Sequence, residues 1–249
     1  MDLGLRGKSV LVTGGSKGIG LACAQGFAAE GANVQLAARS RDALETAARE
    51  IAAKHGVEAR THSIDLRAPG AAEMLAGAAG AIDILVNNAG DMQTGSLGAI
   101  DEAAWRNAWE LKVFGFINLT RVALAQMESR GRGVIVNVIG MGGVLHPPDY
   151  ILGAAGNAAL DGFTKGVGKG SPRKGVRVLG VHPGATRTER LVGPLRAIAK
   201  QRLGDESRWQ ELLRGQQLQE PEQVADTVVY LASERAAHLS GVMLNLTPA

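Results

Sequence analysis

Residues 9–20 read SVLVTGGSKGIG, and this stretch decides the fold. Its first half, SVLVTG at residues 9–14, is the short apolar run typical of a buried strand, and residues 19–30 have the composition of a helix that ends at Gly31. Three glycines, Gly14, Gly18 and Gly20, join the two elements. Glycine there lets the backbone turn tightly and lets a pyrophosphate approach the helix N-terminus. The stretch therefore predicts a strand–turn–helix unit that binds a dinucleotide, with a purely structural glycine-rich turn as the alternative.

The same alternation of a short apolar run and a longer run of helical period continues along the chain. Strands are predicted at residues 9–14, 33–38, 58–65, 82–90, 133–140, 176–184 and 241–247. Helices are predicted at residues 19–30, 41–56, about 69–80, 101–129, 149–168 and 221–233. Continuously apolar strands are typical of parallel sheets with both faces covered. The predicted fold is α/β: a Rossmann-type, doubly wound, seven-stranded parallel sheet with helices on both faces.

This pattern predicts one dinucleotide-binding domain spanning residues 1–249. Its one long excursion is the Arg-rich stretch 185–220, which leaves from the carboxyl end of a strand. Ligands bind at that end of such sheets, so we interpret residues 185–220 as a candidate substrate lid.

Composition narrows the class of partner. Lys and Arg number 27 against 24 Asp and Glu, which does not favour a nucleic-acid surface. Cys23 is the only cysteine, so neither an internal disulfide nor a thiolate metal cluster is possible, and no metal site is expected. No uninterrupted apolar run reaches the roughly 18 residues of a membrane span, and the N-terminus lacks the pattern of a signal peptide. We therefore expect a cytoplasmic protein without a membrane partner.

Further motifs follow the glycine-rich turn in a fixed order. They are NNAG at 87–90, IVNV at 135–138, PG at 183–184 and SGVMLNL at 240–246. Together with TGGSKGIG they make the chain similar, over essentially its whole length, to the short-chain dehydrogenase/reductase family.

The resemblance implies a nicotinamide dinucleotide along the carboxyl edge of the sheet. It places Asp65 near the adenine, Asn87 and the 88–90 backbone near the adenine ribose, and Thr188 near the carboxamide. The residues expected to contact the cofactor are Gly14, Ser16, Lys17, Gly18, Ile19, Gly20, Arg39, Asp65, Leu66, Asn87, Ala89, Gly90, Asn157, Pro183, Gly184 and Thr188.

The end of the second strand bears on the choice of cofactor. An NAD-binding site places a carboxylate here for the ribose 2′-hydroxyl. Residues 37–41 read AARSR instead, and Lys17 lies in the glycine-rich turn. Arg39 and Lys17 suit a 2′-phosphate, so NADP(H) is favoured and NAD(H) remains possible. The alternative is that both cations are solvated surface residues.

The family resemblance also implies Asn, Ser, Tyr and Lys at four catalytic positions. NAALDGFTK at 157–165 matches the family's KAALxGFTK, which puts Asn157 at the lysine position and Gly153 at the tyrosine position. IVNVIG at 135–140 puts Gly140 at the serine position, and counting from Trp105 puts Lys112 at the asparagine position. The chain is thereby interpreted as a divergent member that lacks the usual Ser, Tyr and Lys.

The Lys and Asn residue types are exchanged between positions 112 and 157. We infer a reciprocal exchange in which Lys112 enters the same small space from the opposite helix while Asn157 still binds the nicotinamide ribose; the alternative is a decayed site with Lys112 in solvent. Tyr150, three residues before Gly153, and His146 are the candidate acids, and a surface or substrate-contact role is the alternative for each.

The sequence thus predicts an NAD(P)(H)-dependent oxidoreductase that acts on a small carbonyl or alcohol through a rearranged site. One alternative is a catalytically inactive NADP(H)-binding sensor or partner subunit, and another is a structural homologue that binds no cofactor. By family resemblance, helices 101–129 and 149–168 are expected to pair in a homodimer or homotetramer.

Overall fold

The fold was analysed in a computed structural model, which describes residues 2–213, 215 and 217–247. One parallel sheet of seven strands runs through it, in the order β3-β2-β1-β4-β5-β6-β7. The strands are β1 Ser9–Thr13, β2 Asn33–Ala38, β3 Ala59–Ser63, β4 Ile84–Asn87, β5 Gly133–Val138, β6 Val176–Pro183 and β7 Met243–Leu246. The predicted fold class is confirmed.

Helices cover both faces of this sheet. Within the described residues, the α-helices are α1 Gly18–Ala29, α2 Arg41–His55, α3 Ala71–Ala79, α4 Glu102–Trp109, α5 Gly115–Arg130, α6 Gly142–Leu145, α7 Ile151–Gly170, α8 Glu189–Leu203 and α9 Pro221–Ala232. Not one of them is both long and apolar enough to cross a lipid bilayer.

Two apolar layers sandwich the sheet because successive strand residues point to opposite faces. In β1, Val10 and Val12 pack into the cluster that includes α1, α2 and α9, while Leu11 packs into the cluster that includes α3 and α5. All three residues are fully buried. The alternation explains why the strand is apolar at every position rather than at every second one.

The helix predicted at residues 101–129 forms one unbroken helical run, but its winding is not uniform. Residues Glu110–Phe114 between α4 and α5 wind as one π-helical turn. A π-turn adds a residue to the helix and often marks a functional position. Here it carries Lys112, whose side chain is directed into the protein and is only 5% exposed. Sequence periodicity alone does not reveal such an insertion.

The segment 185–220 leaves the sheet after β6, and its two ends lie side by side. Thr186 and Gln219 pair as an isolated parallel bridge at its base. Arg187 Nε lies 2.7 Å from Glu220 Oε1 and strengthens the same closure. Above that base, α8 and the 3-10 turn at Glu206–Leu213 share a small core around Trp209. The segment therefore forms a compact flap beside the carboxyl edge of the sheet.

Candidate functional site

A cleft of about 780 Å³ opens at the carboxyl ends of β1, β2 and β4. It lies where the strand order reverses between β1 and β4, the position at which doubly wound sheets bind ligands. The lining residues named from sequence are Gly14, Ser16, Lys17, Gly18, Ile19, Arg39, Asp65, Leu66, Ala89, Gly90 and Thr188. Most of the residues named for the cofactor therefore lie along one cleft.

The glycine-rich turn has the geometry of a phosphate cradle. Gly14 and Gly18 have φ angles of 66° and 56°, which side chains rarely adopt. A Cβ at Gly20 would lie 2.2 Å from the Gly14 carbonyl oxygen. Lys17, the N-cap of α1, makes no side-chain cap, so backbone N–H groups of the first helical turn are left for an anion. These features fit the pyrophosphate of a dinucleotide.

Thr13 and Asn88 hold this turn against the β4 loop. Thr13 Oγ1 accepts hydrogen bonds from the backbone N–H groups of Asn88 and Ala89 at 2.9 and 3.1 Å. The Asn88 side chain donates back to the Thr13 carbonyl oxygen at 3.0 Å. Sequence reasoning overlooked both side chains, although TG and NNAG are the motifs that carry them.

Asn87 does not line the cleft. Its Nδ2 points into the protein and donates to Thr120 Oγ1 at 3.0 Å and to Asn137 Oδ1 at 2.9 Å. Successive strand residues face opposite sides, so Asn88 takes the position facing the cleft.

Four other residues named for the cofactor are also not among those that line the cleft, namely Gly20, Asn157, Pro183 and Gly184. Gly20 packs beneath the Gly14 carbonyl. Pro183 ends β6, and Gly184 N–H donates to Gln219 Oε1 at 3.0 Å in the base of the flap.

Lys112 projects from the π-turn toward the end of β5. Its Nζ donates to the Ile139 carbonyl oxygen at 2.6 Å and lies 5.8 Å from the centroid of the Phe116 ring. The methylene stem packs on Gly90, where a Cβ would lie 2.9 Å from Lys112 Cδ. Burial, with a smaller contribution from the Arg190 charge, lowers the pKa of Lys112 to about 7. A lysine with this pKa can both give and take a proton near neutral pH.

Asn157 reaches the carbonyl group next to the one that binds Lys112. Its Nδ2 donates to the Gly140 carbonyl oxygen at 3.3 Å. Its Oδ1 is buried and has no hydrogen-bond partner within the described part of the chain. Buried acceptors are rarely left unpaired, so this oxygen is suited to accept from a ligand hydroxyl, such as that of a ribose.

His182, a buried histidine that sequence reasoning missed, contacts the Gly140 carbonyl group. His182 Nδ1 lies 3.0 Å from the Gly140 carbonyl oxygen, and Nε2 lies 2.9 Å from Asp161 Oδ1. Both partners accept, so the ring donates to both only when each nitrogen carries a proton. Burial alone raises the pKa of Asp161, but hydrogen bonds from Lys165 and His182 outweigh it and hold that pKa below its usual range. The available signal was a histidine in the mostly apolar strand VRVLGVHPG.

The structure brings Tyr150 into this region but not His146. The Tyr150 ring fills the space above Gly153, where a Cβ would lie 2.1 Å from Tyr150 Cζ and 2.5 Å from its hydroxyl oxygen. Burial raises the pKa of Tyr150, and the Arg190 charge opposes that effect. His146 is exposed at the end of α6 with φ 51°, away from the buried groups around Gly140.

Comparison with known proteins agrees with this geometry. The family model described as short chain dehydrogenase matches residues 8–195. The galactitol 2-dehydrogenase (L-tagatose-forming) of Cereibacter sphaeroides is 31% identical over 96% of this chain and 93% of its own. A 3-oxoacyl-[acyl-carrier-protein] reductase of Aquifex aeolicus is 29% identical over 99% of this chain and 98% of its own.

Among solved structures, the L-sorbose reductase of Gluconobacter frateurii complexed with NADPH and L-sorbose superposes with a TM-score of 0.92. It is 31% identical and the match covers 99% of this chain and 97% of that one. The family match over residues 8–195 and the similar fold of a solved structure that is 31% identical lead to one conclusion. The chain belongs to the short chain dehydrogenase family.

Proposed function

We propose that this protein is a nicotinamide-dependent oxidoreductase of small carbonyls and alcohols in which Lys112 replaces the family's tyrosine as the proton donor. The observation that carries the proposal is the buried Lys112 ammonium beside the cofactor cleft, bound to the Ile139 carbonyl oxygen at 2.6 Å. The glycines at 140 and 153, which the sequence register assigns to the serine and tyrosine positions, offer no competing side chain. The NADPH complex of the related sorbose reductase supports a nicotinamide cofactor.

The nicotinamide ring, when bound, supplies or accepts the hydride. Lys112 handles the proton. An ammonium has three N–H donors, and the Ile139 carbonyl oxygen uses one, so two remain for a substrate oxygen. In the reducing direction Nζ gives a proton to that oxygen and becomes a neutral amine, a form that burial already favours. In the oxidising direction the amine accepts the proton.

The neighbouring side chains position these groups. Asn157 Oδ1 accepts from the nicotinamide ribose hydroxyl and thereby gains the partner it lacks. His182, itself held by Asp161, fixes the Gly140 carbonyl oxygen to which Asn157 Nδ2 is bound. Tyr150 forms one wall of the substrate space and contacts substrate. Residues 185–220 close over this space as a lid on a single domain.

A panel of small aldehydes, ketones and sugars with NADPH and NADH tests this function. We expect measurable cofactor oxidation with at least one of them. Calorimetric binding of NADPH with no turnover of any panel member would instead favour the inactive sensor or partner subunit. If neither cofactor binds, both the oxidoreductase and the inactive nucleotide-binding protein are ruled out.

We further propose that NADP(H) is preferred over NAD(H). Arg39 and Lys17 are both exposed at the cleft and offer cationic groups to a 2′-phosphate. Arg39→Ala is expected to weaken NADPH binding about tenfold to a hundredfold, the value of a charged hydrogen bond, and to leave NADH binding nearly unchanged. Calorimetric titration of both cofactors measures this, with Arg41→Ala as the matched control. Equal losses for the two cofactors would contradict the assignment.

We propose that α4, the π-turn and α7 pair two copies of the chain. An apolar groove of about 400 Å³ lies on this face, lined by Glu102, Trp105, Arg106, Trp109, Glu110 and Phe114. Phe114 is 46% exposed, which is unusual for a large aromatic residue. Phe114→Glu is expected to convert a dimer or tetramer to smaller species in analytical ultracentrifugation. The exposed Leu97→Glu is the control, and a wild-type monomer would refute the pairing.

A further inference from the structure

Two cationic side chains, Lys112 and Arg190, contact Gly90 at the edge of the cleft. The Lys112 stem packs against Gly90, as the 2.9 Å distance from a Cβ at that position to Lys112 Cδ shows. Arg190, at the start of α8, reaches across from the flap, and its Nη1 donates to the Gly90 carbonyl oxygen at 3.0 Å. Its Nη2 donates to the Met92 carbonyl oxygen at 3.1 Å. The flap thus brings a guanidinium group next to the lysine proposed to carry the proton.

Asp91 and Glu189 also line this cleft, but neither carboxylate lies within salt-bridge distance of Lys112 or Arg190 in the described part of the chain. Among residues 2–213, 215 and 217–247, neither Lys112 nor Arg190 forms a salt bridge. The neighbouring Glu189 pairs with Arg196 instead, at 3.5 Å. Two neighbouring cations, neither of them in an ion pair, repel each other, and an anion placed between them relieves that repulsion. The arrangement therefore favours a negatively charged ligand.

Both cations retain donors for such a ligand. A guanidinium group has five N–H donors, of which two are engaged with Gly90 and Met92. The planar fork of an arginine matches a carboxylate better than it matches a neutral hydroxyl. The pyrophosphate of the cofactor is expected at the glycine-rich turn, so an anion between Lys112 and Arg190 would be a group of the substrate.

We propose, building on the carbonyl reduction inferred above, that the substrate is a short oxoacid whose carboxylate is bound by Arg190 while its carbonyl oxygen faces Lys112. A hydride adds to the carbonyl carbon as the C=O π bond breaks. The carbonyl oxygen takes a proton from Lys112 Nζ, so the products are a hydroxyacid and the oxidised cofactor.

Turnover of matched acid and ester pairs tests the charge requirement. The assay offers 2-oxobutanoate, 3-oxobutanoate and their methyl esters with NADPH to the wild-type protein, to Arg190→Gln and to the control Arg202→Gln on the same helix. We expect Arg190→Gln to lower kcat/KM about tenfold to a hundredfold more for the acid than for its ester. Esters reduced as well as their acids by the wild type, or equal losses for both in Arg190→Gln, would overturn the proposal.

A binding measurement separates this proposal from the proposed function. Malonate and its neutral analogue malonamide are titrated calorimetrically into the NADP⁺-loaded protein. We expect malonate to bind and malonamide not to bind. Arg190→Gln is expected to weaken malonate binding at least tenfold, whereas Arg202→Gln is expected to leave it unchanged. Malonate binding without any NADPH oxidation would refute the redox function and support the anion site. Carbonyl reduction without preferential malonate binding would refute the anion site alone.

Discussion

Lys112→Met should lower kcat/KM for carbonyl reduction at pH 6.5 by roughly a hundredfold to ten-thousandfold, the usual contribution of a positioned general acid. Methionine is similar in length to lysine and is apolar. It therefore fills the place of the lysine side chain between Gly90 and Ile139 without supplying a proton. Cofactor binding, measured by calorimetry, should be unchanged. The control is Lys169→Met, which removes an exposed lysine from α7. Retained activity in Lys112→Met would rule out the proposed role.

The same substitution should stabilise the protein. Folding depresses the pKa of Lys112 from 10.5 to about 7. Below pH 7 the folded state therefore carries the full cost of burying an ammonium, and that cost is relieved as the pH rises toward 10.5. At about 1.4 kcal/mol per pKa unit the cost is on the order of 5 kcal/mol. Chemical denaturation at pH 6 should show Lys112→Met to be more stable than the wild type, with the difference shrinking as the pH increases.

The carbonyl-reducing activity of the wild type should fall as the pH rises, whereas its stability should increase. The reduction needs the ammonium form, so kcat/KM is expected to fall about tenfold per pH unit above the pKa of Lys112 in the cofactor complex. That pKa is about 7 in the protein alone, and a bound anionic cofactor moves it upward because it favours the charged lysine. A rate that is flat from pH 6 to pH 10 would exclude Lys112 as the acid.

Gly153→Ala should destabilise the protein by about 1–3 kcal/mol, the typical effect of overpacking, although alanine is the better helix former. The added Cβ would lie 2.1 Å from Tyr150 Cζ, and the ring must leave its place. Gly166→Ala on the same helix is the control, because nothing lies within 4 Å of a Cβ there. That variant should be more stable than the wild type by about 0.4–1 kcal/mol. Urea unfolding curves measure both changes.

Tyr150→Ala should rescue Gly153→Ala, because it removes the ring that the new methyl group meets. A double-mutant cycle would then give a strong favourable coupling between the two positions. If Gly153→Ala is as stable as Gly166→Ala, the placement of Tyr150 is wrong. The clash also predicts that a larger side chain, as in Gly153→Tyr, destabilises the protein unless the Tyr150 ring moves.

Local patterns in the sequence predicted most of the fold, and most of the residues named for the cofactor line one cleft. Buried strands, helical periods and the glycine-rich turn depend on residues close together in the chain, so periodicity identifies them. Asn87 shows the limit of motif matching. NNAG located the loop correctly, but which of two adjacent asparagines faces the cleft depends on how β4 pleats against its neighbours.

By itself the sequence determined the parallel α/β architecture and the edge of the sheet at which the cleft opens. Tertiary structure alone decided which groups gather there. Lys112 binds the carbonyl oxygen of Ile139, 27 residues away, and Arg190 reaches Gly90 across 100 residues. The pKa of Lys112 is likewise a product of burial and of a neighbouring charge. Such properties belong to folded neighbours rather than to adjacent residues, because desolvation and Coulomb interactions depend on distance in space.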